Sequence, residues 1–368
     1  MAPIPVDEYP IHQVPLSIEH CASSDRNFYD RCYLNAHDRT GEIMLVTGLG
    51  VYPNLGVIDA YGCVRIGDRQ VSVRASDALG PDRMRQEVGP YRVEIIEPLE
   101  KLRVVLDGDA HGLGFDLTWT GSFPVVEESP HLLRQGGRVI LDACRFAQVG
   151  TWAGEIRVEG QTYEVTDDVW LGTRDRSWGI RGNGEPEPPG RLAAEPDPDF
   201  GFWWTYIPVK FDDFALIFIA QEDGKGHRTL NDAIRVWPKE SGKEPEALGF
   251  PEYEYRYRSG TRLPESCRIT VADLEIEVES LGFVVLHAGC GYGGDPAWRH
   301  GMWKGRGWVE GGVADLDDPA VAGLMPFGVI DHVGKATVGG KVGWGLFEHG
   351  TIGRYDPSGF TDYFSVAP

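Results

Sequence analysis

Residues 172–181 (GTRDRSWGIR) bring a carboxylate, a hydroxyl, an indole and three arginines together within ten positions. If the segment is a strand, its side chains alternate between two faces, which separates Asp175 from its neighbours Arg174 and Arg176. A carboxyl group that faces an apolar cavity can act as a general acid, whereas pairing with arginine lowers its pKa. The segment is therefore either part of a catalytic site or a structural clasp, a barrel-closing corner in which an arginine packs on Trp178.

Two other places in the sequence supply candidate catalytic groups. Asp59 interrupts an apolar strand, Val57-Ile58-Asp59-Ala60-Tyr61, where burial would raise its pKa; the alternative is a hydrogen bond to a neighbouring turn. Glu348 and His349 are adjacent near the end of the chain. Neighbours on a strand point to opposite faces, so at most one of these two can face a cavity, and both are otherwise surface residues.

The elements that must position these groups are predicted to be short strands. The chain has 48 glycines, 25 prolines and 11% aromatic residues, a composition typical of many strands joined by tight turns. Turn signals at 39–41 and 67–68 predict two hairpins, and 137–141 and 155–165 read as two separate short strands. Pro319 follows an acidic cap within 317–324, which predicts a helix start there. The fold class is therefore all-β, with few short helices.

A length of 368 residues, of which 42% are hydrophobic, is enough for two domains with cores of their own. Residues 182–199 contain five prolines and three glycines, which predicts a linker. We expect one domain at 1–185, beginning with an irregular arm of about 25 residues, and a second at 186–368. Each half runs from a strand through a glycine turn into a Gly/Trp segment, so Asp175 and Glu348 are expected at related positions in the two domains.

Charge and cysteine pattern narrow the range of partners. Thirty-five basic against 56 acidic residues give a formal net charge of -21, which disfavours nucleic acid and anionic membranes as partners. The six cysteines show no pattern of a zinc site or a disulfide framework, so we expect no metal. The start of the chain has no signal-peptide pattern and no apolar run would span a membrane, so we expect a cytoplasmic protein. The sequence is compatible with a homo-oligomer.

Three segments together resemble a known family. They are residues 172–181, residues 52–60 (YPNLGVIDA) and the Gly-Trp-Gly of 343–345 before Glu348. These resemble the lipocalin-like double-barrel proteins, a group that includes carotenoid 1,2-hydratase (hydroxyneurosporene synthase), kievitone hydratase and AttH-like proteins. The order of predicted elements is similar over most of the chain, whereas the amino-acid sequence itself is similar only in these three motifs. Relatives often have histidine where this chain has Arg176. The resemblance implies two lipocalin-like (calycin) antiparallel β-barrels packed together.

The resemblance also implies a chemistry. Hydration of an alkene needs a protonated carboxylic acid, an apolar pocket with aromatic faces for a developing carbocation, and a positioned water, but no cofactor. We therefore predict acid–base catalysis on an apolar isoprenoid or aromatic small molecule, by a hydratase or dehydratase, an isomerase or a cyclase. The alternatives are a non-catalytic carrier of such a molecule and a scaffold. The predicted catalytic residues are Asp175, Asp59, Glu348 and His349. The predicted substrate-binding residues are Trp178, Tyr61, Trp203, Trp204 and His287.

Overall fold

Two antiparallel β-sheets make up most of the protein in the computed structural model, which describes residues 5–135, 137–184, 199–293 and 295–368. Strands account for 57% of the residues and helices for 5%. The all-β double-barrel fold expected from the sequence is confirmed. No helix in the described ranges is both long and apolar enough to cross a membrane.

The first sheet is built almost entirely from the first half of the chain. Its strands, in chain order, are β1 (Phe28–His37), β2 (Ile43–Tyr52), β3 (Val57–Ile66), β4 (Arg69–Ala78), β5 (Glu87–Val88), β6 (Tyr91–Glu97), β7 (Lys101–Leu106), β8 (Leu113–Gly121), β9 (Val126–Glu127), β10 (His131–Gln135), β11 (Arg138–Val158), β12 (Gln161–Val165) and β13 (Leu171–Arg181). The central path runs β4-β3-β2-β1-β13-β11-β8-β7-β6-β5.

The second sheet comes from the second half. Its strands are β14 (Gly201–Lys210), β15 (Ala215–Asp223), β16 (Arg228–Val236), β17 (Glu246–Ala247), β18 (Glu252–Tyr257), β19 (Pro264–Val271), β20 (Leu274–Val285), β22 (Ile330–Val338) and β23 (Lys341–Gly353). They follow the order β17-β16-β15-β14-β23-β22-β20-β19-β18. Between β20 and β22 lie β21 (Trp308–Asp315) and the single α-helix of the described chain, α1 (Pro319–Ala322), which is capped by the Asp318 side chain on the Ala320 amide at 2.8 Å.

Local sequence signals account for much of this pattern. The predicted hairpins at 39–41 and 67–68 are β1–β2 and β3–β4, and Gly67 has the positive φ of 57° that such a turn requires. The helix start at Pro319 is confirmed. The prediction of separate strands at 137–141 and 155–165 was wrong, because β11 runs unbroken for 21 residues from Arg138 to Val158. Since β11 pairs with β13 and β8, its long middle is held by neighbours on both edges.

One strand crosses between the halves. β21 pairs with β4 and so extends the first sheet with a segment from the second half. Arg74 on β4 forms ion pairs with Asp295 and Glu310, which hold this segment in place. Most of the predicted linker, and with it the predicted boundary near residue 185, lies outside the described residues. The division into domains at 1–185 and 186–368 therefore stays a prediction.

The two sheets repeat one arrangement of strands. In the first, the opening strand β1 pairs with the last strand β13, which pairs with β11; in the second, β14 pairs with the last strand β23, which pairs with β22. These strands face each other, and one apolar core contains residues from both sheets, among them Tyr33, Val46, Trp204 and Leu346. The candidate active site lies where the two triplets of strands meet.

Candidate active site

A cavity of about 280 Å³ lies between the two triplets of strands. Both sheets contribute to its wall, and so does Tyr292, which follows β20. The polar and aromatic residues that line it are Tyr29, Arg31, Tyr33, Ser129, His131, Arg145, Asp175, Ser177, Arg181, Phe202, Trp204, Tyr206, Tyr292 and Glu348. A cavity of this size can hold a small molecule, and its wall combines aromatic rings with ionisable groups.

Strand alternation on β13 puts Asp175 and Ser177 on the cavity side. The flanking arginines point away: Arg174 donates a hydrogen bond to Gln148, and Arg176 forms an ion pair with Asp30 at 3.0 Å. The segment is a central strand of the sheet and not a barrel-closing corner, because β1 and β11 pair with it on either side. The clasp interpretation was therefore wrong about the place of this segment in the fold.

Asp175 is the cavity-lining carboxyl group whose pKa is raised by its surroundings. Burial raises its pKa to about 7, against the opposing effect of the Arg145 guanidinium and with a further rise from the carboxylates of Glu128 and Glu348. Arg145 forms an ion pair with Glu128, so its charge is partly neutralised. At neutral pH a substantial fraction of Asp175 therefore carries a proton, as a general acid requires.

A pair of carboxyl groups lies on the opposite wall. Glu348 on β23 lines the cavity, and Asp331 is its direct partner on β22, fully buried behind it. The Trp204 indole N–H donates to Glu348 Oε1. Burial and the neighbouring Glu348 raise the pKa of Asp331 well above its usual range, which favours its protonated form.

A hydrogen bond links the two sheets at this point. The Tyr33 hydroxyl on β1 donates to Asp331 Oδ2 at 2.5 Å, across 298 residues of sequence. Asn35 donates to the same hydroxyl at 3.3 Å and to Thr173 Oγ1 at 2.6 Å. Burial and Asp331 raise the pKa of Tyr33 well above its usual range, so the hydroxyl keeps its proton. This network fixes the position of Asp331 and, through it, the wall that carries Glu348.

Comparison with known proteins adds a family and a fold. A model of a family of unknown function, DUF8625, matches residues 4–361. The chain belongs to this family. A search of curated proteins finds no match.

Solved structures with the same fold include two that cover nearly the whole chain. An AttH protein from Nitrosomonas europaea has a TM-score of 0.52 at 15% identity, over 95% of this chain and 98% of that one. Kievitone hydratase from Nectria haematococca has a TM-score of 0.51 at 13% identity, over 87% of this chain and 88% of that one. The double-barrel resemblance drawn from the sequence is thus confirmed at the level of fold.

Three of the residues predicted from the sequence meet in the cavity of this family member: Asp175, Glu348 and Trp204. Glu348 faces the cavity and His349 does not, as strand alternation requires. His349 is buried on the other side of β23, stacked on Tyr255 with ring centroids 4.2 Å apart, and burial lowers its pKa to about 3. Trp203 lies beside it, stacked on Tyr355 in the core of the second barrel.

Asp59 and Tyr61 lie behind the cavity wall. The Asp59 carboxylate accepts hydrogen bonds from the Gly301 amide at 2.6 Å and the Tyr52 hydroxyl at 3.2 Å. Both its oxygens are therefore occupied by donors of the protein itself. The Tyr61 hydroxyl is 3.5 Å from that of Tyr292, so Tyr61 supports a lining residue without lining the cavity itself.

Trp178 and His287 are further from the cavity. Trp178 is 39% exposed and lies with the N-terminal arm on the outer face of the sheet. His287 is buried against Gly328, where a Cβ would lie only 1.6 Å from its ring. Burial lowers the pKa of His287, so it is a neutral packing residue. Among the described residues, no group of three or more His, Cys, Asp or Glu side chains is arranged to hold a metal ion.

The prediction missed the cavity residues of β1 and β11. Tyr29, Arg31 and Tyr33 line the cavity from alternate positions of β1, and Arg145 does so from β11. The sequence did place Tyr29, Arg31 and Tyr33 on one face, because side chains two residues apart on a strand point the same way. What the sequence did not indicate was that this face turns towards the other barrel.

Proposed function

We propose that this protein is an enzyme that transfers protons to and from carbon in a small molecule held between the two barrels, using its own carboxyl groups and no cofactor. Hydration or dehydration, isomerisation and cyclisation are the reaction types of this class. The observation that carries the proposal is Asp175, a cavity-facing carboxyl group with a pKa raised to about 7.

The charges in the cavity favour one version of this chemistry. Arg145 packs over the rings of Trp204 and Tyr206, at 5.7 and 5.5 Å from their centroids. A carbocation at these aromatic faces would meet a guanidinium, whereas negative charge on an oxygen would be stabilised by it. A substrate that forms an enolate, with a carbonyl next to the reacting carbon, therefore suits the site better than the isolated alkene considered from the sequence.

The two cavity-facing carboxyl groups have complementary roles in this proposal. Consider water adding to a double bond that is conjugated with a carbonyl. Glu348 takes a proton from the water while the oxygen of that water bonds to the β-carbon. Asp175 then gives its proton to the α-carbon, and proton exchange through water restores both groups. Dehydration is the reverse of these steps. Asp331 and Tyr33 act as positioning residues, since Asp331 lies behind Glu348 and Tyr33 holds Asp331.

The same features favour an enzyme over a carrier. A carrier of apolar molecules would have an apolar cavity with polar groups at its mouth. Here Asp175, Arg31 and Glu348 come from the middle of paired strands and line the cavity wall itself. The name of kievitone hydratase, which shares the fold, makes hydration the reaction to test first.

Incorporation of solvent deuterium tests the proposal across many candidate substrates at once. Small-molecule extracts of the native host, and a panel of unsaturated carbonyl compounds, are incubated with the protein in D₂O and analysed by mass spectrometry. We expect at least one compound to gain carbon-bound deuterium with the wild type and with Asp30→Asn, but not with Asp175→Asn. Asp30 is the matched control because it lies in the same sheet on the opposite face. Equal incorporation by all three proteins would overturn the assignment of Asp175.

A further inference from the structure

Two guanidinium groups in the cavity have no acidic partner within the described part of the chain. Arg31 on β1 is only 8% exposed, and Arg181 lies at the end of β13; both line the cavity. Among the described residues, no salt bridge or hydrogen bond joins either of them to a carboxylate. The other cavity arginine, Arg145, is paired with Glu128, so among the described residues Arg31 and Arg181 are the cavity cations without an ion pair.

Both unpaired cations pack on one ring. The guanidinium carbons of Arg31 and Arg181 lie 5.3 and 5.8 Å from the Tyr292 ring centroid. Burial raises the pKa of Tyr292 to about 12, so its hydroxyl stays neutral and does not balance them. The groups that surround Arg31 are the tyrosines Tyr29, Tyr52, Tyr61 and Tyr292.

Such an arrangement is costly unless an anion completes it. A buried cation without a counter-ion loses its hydration and gains no pairing energy, and two adjacent cations also repel each other. Burial and the neighbouring Arg31 lower the pKa of Arg181, whereas the surrounding tyrosines, Tyr292 foremost, raise the pKa of Arg31 against the effect of burial. The protein as a whole has a formal net charge of -21, so this local excess of positive charge is opposite in sign to the charge of the whole chain.

We propose that Arg31 and Arg181 form a subsite for a carboxylate of the substrate, which makes the substrate of this cavity an aromatic or isoprenoid acid. A guanidinium can bind a carboxylate with two parallel hydrogen bonds, and Ser177, the partner of Arg31 across β1 and β13, adds a hydroxyl. The rings of Tyr29 and Tyr292 beside the two arginines provide contacts for the apolar part of the molecule.

The strand register sets the distance from this subsite to the reacting carbon. Arg31 lies two residues from Tyr33 on β1, and Tyr33 is the direct partner of Asp175 on β13. Two residues of a strand span about 7 Å. We therefore expect the atom that exchanges a proton with Asp175 to lie within about 7 Å of the substrate carboxylate. This step rests on the proposed function, whereas the anion subsite itself does not.

Binding of a matched pair of probes tests the subsite. Cinnamate and its neutral amide, cinnamamide, differ in charge but little in shape, and their dissociation constants are measured by calorimetry. We expect the wild type to bind cinnamate at least about tenfold more tightly than cinnamamide, a difference of about 1.4 kcal/mol. Arg31→Gln should reduce the preference to less than about twofold, whereas Arg31→Lys should keep part of it. Arg103→Gln, which removes an arginine paired with Asp116 outside the cavity, should leave it unchanged.

Arg181→Gln gives an independent readout should Arg31→Gln not fold, because Arg181 is less buried. Equal binding of the two probes by the wild type, or an undiminished preference in both glutamine variants, would overturn the subsite. Solvent-deuterium incorporation is scored separately. Incorporation into neutral compounds only, without a preference for cinnamate, would overturn the subsite and leave the catalytic role of Asp175 standing. A preference for cinnamate without any Asp175-dependent incorporation would support the subsite and contradict the catalytic proposal.

Discussion

In each half of this protein, a tyrosine on the opening strand is paired with a carboxyl residue on the last strand. The two halves differ in the residue that the next strand places beside that carboxyl group. In the first half Tyr33 on β1 faces Asp175 on β13, and Ala147 on β11 completes the row. In the second half Tyr206 faces Glu348, and Asp331 completes the row. The equivalent position on the last strand thus carries a single carboxyl group, Asp175, in the first half of the chain. In the second half it carries Glu348, which is one member of a carboxyl pair.

This difference underlies the opposite proton roles that we propose for Asp175 and Glu348. Asp175 has no hydrogen-bond donor among the described residues, and burial favours its protonated form. Glu348 accepts a hydrogen bond from Trp204, and its partner Asp331 has a pKa raised well above its usual range by burial and by Glu348. Asp59 shows that burial alone is not sufficient for such a role, because backbone and tyrosine donors occupy both its oxygens.

Removal of the acid should have the largest effect. Asp175→Asn keeps the shape of the side chain but cannot donate the proton, so we expect turnover to fall by about 10² to 10⁴-fold. The measurement is the initial rate on the compound found by deuterium incorporation. Asp30→Asn, on the opposite face of the same sheet, should stay within about twofold of the wild type. A similar loss in both variants would show that the effect is structural.

Removal of the base should have a smaller effect and should also move the pH profile. Glu348→Gln should lower turnover by about tenfold or more, since water then loses its proton acceptor. The Glu348 charge also raises the pKa of Asp175. Without it the pKa of Asp175 falls, so the loss of activity with rising pH should begin at lower pH, by roughly half a pH unit. A shift to higher pH would contradict the proposed coupling of the two halves.

The hydrogen bond between the halves should matter less for catalysis. Tyr33→Phe leaves Asp331 without its hydroxyl donor but leaves Asp175 and Glu348 in place. We expect a loss of turnover of only about three- to tenfold, together with a lower free energy of unfolding by about 1–3 kcal/mol. Rates and denaturant unfolding curves of the same preparation check both values. Unchanged stability would show that this bond does not hold the two barrels together.

The smallest effect concerns stability against pH. The pKa of Asp175 is about 7 in the folded protein and about 4 in an unfolded chain. Its contribution to stability is therefore present below about pH 4 and is lost as pH rises through 7. Relative to the wild type, Asp175→Asn should gain on the order of 1–3 kcal/mol between pH 4 and pH 8, measured by denaturant unfolding. Asp30→Asn should show no such gain, and a gain in both variants would contradict the prediction.

Local pattern was enough to predict much of the fold and part of the site. Turn residues and period-two alternation predicted the first two hairpins, and alternation alone predicted that Asp175 would be separated from Arg174 and that Glu348 and His349 would face opposite ways. The faint repeat between the halves correctly related Asp175 to Glu348.

What the sequence did not reveal depends on contacts between distant segments. The bond between Tyr33 and Asp331 joins residues 298 positions apart, and β21 crosses to the first sheet. No local period encodes either contact. The same holds for Arg31: its strand was predicted, but the absence of an acidic partner among the described residues becomes visible only when both barrels are in place.

The protonation of Asp175 is the most direct test of this account, and it needs no substrate. Carbon-13 NMR of the aspartate carboxyl groups, compared between the wild type and Asp175→Asn to assign the signal, gives the pKa of this residue. We predict a midpoint near pH 7, moving to lower pH in Glu348→Gln. A midpoint near 4, the ordinary value for aspartate, would mean that Asp175 is ionised at neutral pH and would contradict its role as the acid.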